Sequence, residues 1–70
     1  MKYSILVKYD ETDGIFIASV PDLQGCNAHG NTPDEAVREV LIVQDMWLKT
    51  AEEKGLNIPA PSYGLNDNVA

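Results

Sequence analysis

The stretch T-P-D-E-A-V-R-E-V-L-I-V-Q-D-M-W-L-K-T-A-E-E-K-G, residues 32–55, decides the fold. Thr32 can cap a helix, and Pro33 suits the first helical position, where a missing N–H costs nothing. Glu35 stands where a capping box needs its carboxylate. Asp34 and Glu35 also complement the positive end of the helix dipole. At the far end Lys54 meets the negative pole, and Gly55 supplies the left-handed backbone that stops a helix. The spacing predicts one helix over Pro33–Lys54, about 33 Å long at ~1.5 Å per residue.

Placed at about 100° per residue, Ala36, Val37, Val40, Leu41, Val43, Trp47, Leu48 and Ala51 fall on one broad face. These are the expected core positions, with Trp47 the largest. Ile42 and Met46 do not fit. They lie one turn apart on the opposite side, among Glu35, Arg38, Glu39, Lys49 and Glu53. Single exposed apolar residues are common on any protein surface. Two on one stripe are another matter, because burying each contributes roughly 1.5–3 kcal/mol. Ile42 and Met46 are therefore expected to anchor self-association or a partner, with Glu35 and Glu39 beside them.

Upstream of the helix the period changes from 3.6 to 2. Over residues 3–9, Tyr3, Ile5, Val7 and Tyr9 face one way while Ser4, Leu6 and Lys8 face the other, the signature of a half-buried strand. Asp10-Glu11-Thr12-Asp13-Gly14 is a polar turn ending in Asp-Gly. Residues 15–20 are β-branched and aromatic enough for a second strand, which Pro21 ends or confines to an edge. After Pro21-Asp22-Leu23-Gln24-Gly25, a tight connection, residues 26–30 form a short third strand. Two prolines forbid more helix in Leu56-Asn57-Ile58-Pro59-Ala60-Pro61. The expected class is α+β, a three-stranded antiparallel sheet covered by one long helix in the order β-β-β-α. A further strand from the C-terminal tail is left open.

Bulk properties narrow the function. Seventy residues make one domain, and a chain this short buries only about 60% of its unfolded surface. A single cysteine forbids an internal disulfide and suits a reducing compartment. Neither a signal-peptide pattern nor a membrane-length apolar run is seen, so the expected location is the cytoplasm. The net charge of −6 opposes direct nucleic-acid binding, which needs a basic footprint. It suits solubility or a basic partner.

Catalytic readings fare poorly. Asp10, Glu11 and Asp13 lie in or beside a turn and Asp22 in another, whereas a two-metal nuclease needs carboxylates converging from strands and a helix. Cys26 and His29, three apart on a strand, point to opposite faces, and a zinc site would need more Cys or His than the chain has. Cys26 reads as a small buried strand residue, and His29 as a surface residue available for contact. Gly25, Gly30 and Gly55 set backbone geometry and match no phosphate-binding spacing.

Pro21-Asp22-Leu23-Gln24-Gly25-Cys26, then Ala28-His29-Gly30-Asn31-Thr32, then Glu35-Ala36 opening a helix, resemble the HicB-like antitoxins. Trp47-Leu48 and Gly55-Leu56-Asn57-Ile58-Pro59-Ala60-Pro61-Ser62 extend the likeness over residues 3–62. The resemblance implies a partial RNase H-like fold and a place in a type II toxin–antitoxin pair. The family's toxin, HicA, is a small basic relative of double-stranded-RNA-binding domains that cleaves RNA with a histidine, and the antitoxin blocks it by contact. Opposite charge would speed that encounter. Gln24 replaces the proline usual at this turn. Many HicB antitoxins also carry a C-terminal DNA-binding segment, whereas this chain ends at Ala70, so DNA binding by it alone is not expected.

The expectations are then a domain over 1–62 with a tail at 63–70. The chain should be a non-enzymatic antitoxin without cofactor or metal, a dimer or tetramer that neutralises a HicA-like toxin. The alternative is a stand-alone oligomeric module of the same fold with another partner or none. The contact residues expected are Ile42, Met46, Glu35, Glu39 and His29.

Overall fold

The structure is a computed structural model and describes residues 3–61. Its elements are β1 (Leu6–Asp10), β2 (Ile15–Ser19), β3 (Asn27–Gly30) and α1 (Pro33–Lys54). The strands form one antiparallel sheet in the order β1-β2-β3, so among the described residues β2 is central and β1 and β3 are the edges. The expected β-β-β-α arrangement is the observed one. The tail expected at 63–70, with the strand it could add, lies outside the described residues.

The strands are shorter than their sequence patterns. β1 pairs Leu6 with Ser19 and Asp10 with Ile15. That register would set Ser4 opposite Pro21, which has no N–H to give. The β1–β2 ladder therefore starts at Leu6, because β2 ends at Ser19, ahead of Pro21. The β1–β2 turn closes when Gly14 N–H donates to Asp10 O at 2.8 Å. The Asp10 carboxylate accepts from Thr12 N–H at 3.0 Å, the local bond that suits aspartate to turns.

The helix has the expected bounds, and its caps are made. Glu35 N–H donates to Thr32 Oγ1 at 3.1 Å. The Glu35 carboxylate reaches back to Asn31 N–H at 2.7 Å, one residue earlier than the usual capping box, so it fastens the strand exit to the first helical turn. Gly55, at φ 69°, ends the helix. Its N–H bonds Glu52 O while Leu56 N–H bonds Ala51 O, the paired bonds of a Schellman motif. Thr32→Ala removes one helix-start acceptor at an exposed site. It is expected to cost ~1 kcal/mol and lower Tm by ~4–8 °C in thermal unfolding.

The sheet register sorts the side chains into two faces. Val7, Ala18 and Ala28 share one row, and Tyr9, Phe16 and Gly30 the next. This face meets α1 around a core of Tyr3, Ala18, Val20, Leu23, Cys26, Ala36 and Val40. Lys8, Ile17 and His29 form a row on the opposite face, against which no described element packs. α1 returns antiparallel to β3: its first turn abuts Gly30, and Trp47 Nε1 donates to Gln24 O at 2.9 Å in the β2–β3 loop. It contacts β3 most, β2 less and β1 least.

That offset corrects the expected core. Leu41 is 44% exposed, because it lies on the flank of α1 turned toward β1, where the helix covers the sheet least. Trp47 is half-buried and packs at the core margin. The largest fully buried side chain is Leu23, from the loop read only as a connection. Three bonds fold that loop inward: Leu23 N–H to Val20 O, Cys26 N–H to Leu23 O and Val20 N–H to Cys26 O, each 2.9–3.0 Å. Across the fold, the Tyr3 hydroxyl donates to Pro59 O, tying the extended segment after α1 back to the start of the described chain.

Candidate partner-binding site

Glu35, Glu39, Ile42 and Met46 follow one another at spacings of four, three and four. They therefore lie within about 60° of helix arc. This flank of α1 adjoins the outer edge of β3. There Glu35 and Glu39 join Asn27, His29, Gly30 and Asn31 around a groove of ≈ 600 Å³. Further along, Met46 shares a mostly apolar groove of ≈ 300 Å³ with Val43, Trp47, Thr50, Ala51 and Leu56. Ile42 lies between the grooves, lines neither, and is 54% exposed. The structure thus brings His29, Glu35 and Glu39 together and sets Met46 in a neighbouring hollow, with Ile42 bridging them.

Leu56 completes the second groove and is 55% exposed. It lies outside the helical periodicity that marks the other apolar contact residues. The signal was present: an apolar residue directly after a helix-ending glycine is the usual hydrophobic partner of a Schellman turn, and its contact lies back on the last helical turn.

Outward-facing backbone adds to the site. The Val20 N–H to Cys26 O bond marks a hydrogen-bonded pair at the loop end of the β2–β3 ladder. Alternation along an antiparallel ladder makes Ala18–Ala28 and Phe16–Gly30 the next such pairs. The N–H and C=O groups of Asn27 and His29 therefore point away from β2, toward the groove. Asn31 N–H points the same way but is taken by Glu35.

Among the described residues no group of three or more His, Cys, Asp or Glu side chains is placed to hold a metal ion. Cys26 is buried on the core side and His29 exposed on the other, as strand geometry requires. Burial pushes the Cys26 thiol pKa up, which keeps it protonated and poorly nucleophilic. No helix among the described residues is long and apolar enough to cross a membrane.

A three-stranded antiparallel sheet followed by one long helix defines a small α+β class, and comparison with known proteins gives that class a family. Residues 3–68 match the family model described as a HicB-like antitoxin of a bacterial toxin–antitoxin system. The chain belongs to that family. It is 40% identical over 60 residues to a UPF0150 protein of Synechocystis sp., covering 86% of this chain and 81% of that protein. It is also 30% identical over 59 residues to a UPF0150 protein of Thermoplasma acidophilum, 84% of each chain. A second UPF0150 protein of Synechocystis is 35% identical over 51 residues, 73% of this chain and 72% of its own. No solved structure matches the chain significantly.

Proposed function

We propose that this chain is a non-catalytic antitoxin that neutralises a small basic ribonuclease of the HicA type by covering it with the β3-side flank of α1. The observation that carries this is the stripe itself. Two carboxylates, Glu35 and Glu39, lead directly into two exposed apolar side chains, Ile42 at 54% and Met46 at 57% exposure. A basic toxin would be steered by the first pair and held by the second. The net charge of −6 supports the same direction of steering. In this reading the protein acts in the cytoplasm as a homo-oligomer, needs no cofactor, and does not touch nucleic acid by itself. Its sheet is taken as a reduced RNase H-like fold without the catalytic carboxylates.

The test is co-expression with each adjacent reading frame. The expected partner is a small basic protein, toxic alone but harmless and co-purifying with this chain. Ile42→Asp with Met46→Asp is expected to weaken retention by ~30-fold or more, equivalent to ~2 kcal/mol or more. Helix content by circular dichroism should be unchanged, since both side chains are exposed. Undiminished binding by the double variant would remove the stripe from the interface. With no toxic neighbour at all, the stand-alone module with another partner would become the better reading.

A further inference from the structure

We propose that the outer edge of β3 receives an extended segment of the basic partner as a fourth, antiparallel strand, with basic and apolar side chains alternating along it. The proposal deepens the antitoxin reading and takes from it only the partner's basic character.

Three observations converge. Asn27 and His29 each direct an N–H and a C=O outward, as the β2–β3 register and the Val20–Cys26 bond require. Main-chain groups of this kind are what an added strand pairs with. Edge strands are commonly blunted by lysine, proline or a bulge. Asn27–Gly30 contains neither lysine nor proline, and its pairing with β2 is continuous. Among the described residues the edge is closed only at its end, where Glu35 occupies Asn31 N–H, and this sets the open length at Asn27 to His29.

The third observation is the asymmetry of the walls. On the helix side of the groove stand Glu35 and Glu39; Ile15 lines the other side. Successive side chains of an added strand point to opposite faces. One set would lie under the carboxylates and the other on the outer face, next to Asn27 and His29 with Ile17 and Ile15 behind them on β2, hence the alternation of basic and apolar residues. A second copy of this chain could pair Asn27 with His29 in the same register. That pairing would bring the Glu35 and Glu39 of two chains, each of net charge −6, to a single edge, and like charges so placed repel. Charge selects a basic occupant.

The probe is the blocked peptide acetyl-Lys-Val-Lys-Val-Lys-Val-amide, with its Glu-Val counterpart as control, added to the full chain at low salt. Amide hydrogen exchange is followed by NMR. The Lys-Val peptide is expected to slow exchange at Asn27 and His29 by ~10-fold or more, and the Glu-Val peptide to leave both unchanged. His29→Pro removes an outward N–H but no β2–β3 bond, a substitution edge strands accept, and should abolish the protection. Glu39→Lys, on the exposed helix surface, should weaken it while leaving the fold intact.

Failure of the Lys-Val peptide to protect these two amides overturns the proposal, whether it binds elsewhere or not at all. So does equal protection by both peptides. Protection already present without peptide would also overturn it: a second copy is the occupant if protection rises with protein concentration, and the chain's own residues outside 3–61 if it does not. The outcome does not depend on finding a toxin. A toxin retained by a chain whose β3 amides stay unprotected sinks this proposal alone, and peptide protection without any toxin sinks only the antitoxin reading.

Discussion

Gly30→Ala should be the most damaging single-methyl change in the molecule. A Cβ at Gly30 would stand 2.6 Å from Ala36 N and 2.9 Å from both the carbonyl carbon and the Cβ of Glu35. Two of these neighbours are backbone atoms of the first turn of α1, held by the Thr32 cap and the Glu35–Asn31 bond. No side chain can swing away to make room, so β3 and α1 must separate. Overpacking a core by one methyl costs typically ~1–3 kcal/mol, and more where the backbone must move. A cost of ~3 kcal/mol or more is expected here. A domain of this size has only a few kcal/mol of stability, so the variant should be largely unfolded at 37 °C by circular dichroism. The reason is steric, not conformational: among the described residues the glycines at positive φ are Gly14, Gly25 and Gly55, and Gly30 is not one of them. A variant as stable as the parent would mean that α1 does not sit this close to β3.

Leu23→Ala is the second. Leu23 is 1% exposed and is the largest of the fully buried side chains. Truncating a buried leucine costs ~2.7–5 kcal/mol, depending on how far the surroundings collapse into the space. Its loop is fastened at both ends by backbone bonds and at Gln24 by Trp47, so collapse is restricted and the cost should fall toward the upper part of that range. In urea the midpoint should fall steeply with little change in slope. A loss under ~1 kcal/mol would show that the loop can lift away without disturbing the sheet.

These two positions also mark what was legible in the sequence. The helix could be read to the residue because its ends are written locally, in Thr32, Pro33 and Glu35 at one end and Lys54 and Gly55 at the other. The alternation over β1 gave the correct faces but not the first paired residue. That depends on where β2 stops, fifteen or so residues away in the hairpin. Leu23 was hidden because a leucine in a turn-rich segment has no period to join. Leu41 was assigned to the core because a helical projection shows a face but not how far the sheet extends beneath it. At the candidate site, Glu35, Glu39, Ile42 and Met46 could be aligned from helical spacing alone. Their meeting with His29 at a strand edge required knowing that α1 lies over β3 and returns along it.

The bond from Trp47 Nε1 to Gln24 O has a practical consequence. Trp47 is the chain's single tryptophan, half-buried, fixed to the β2–β3 loop and part of the wall of the Met46 groove. Its fluorescence therefore arises from one position, where the loop, the helix and the proposed contact surface meet. Release of the indole from Gln24 would open it to water and shift its emission to the red, whereas a partner closing over the groove would dry it and shift emission to the blue. The fold carries its own optical gauge, able to separate loosening of the domain from engagement of a partner without any added label.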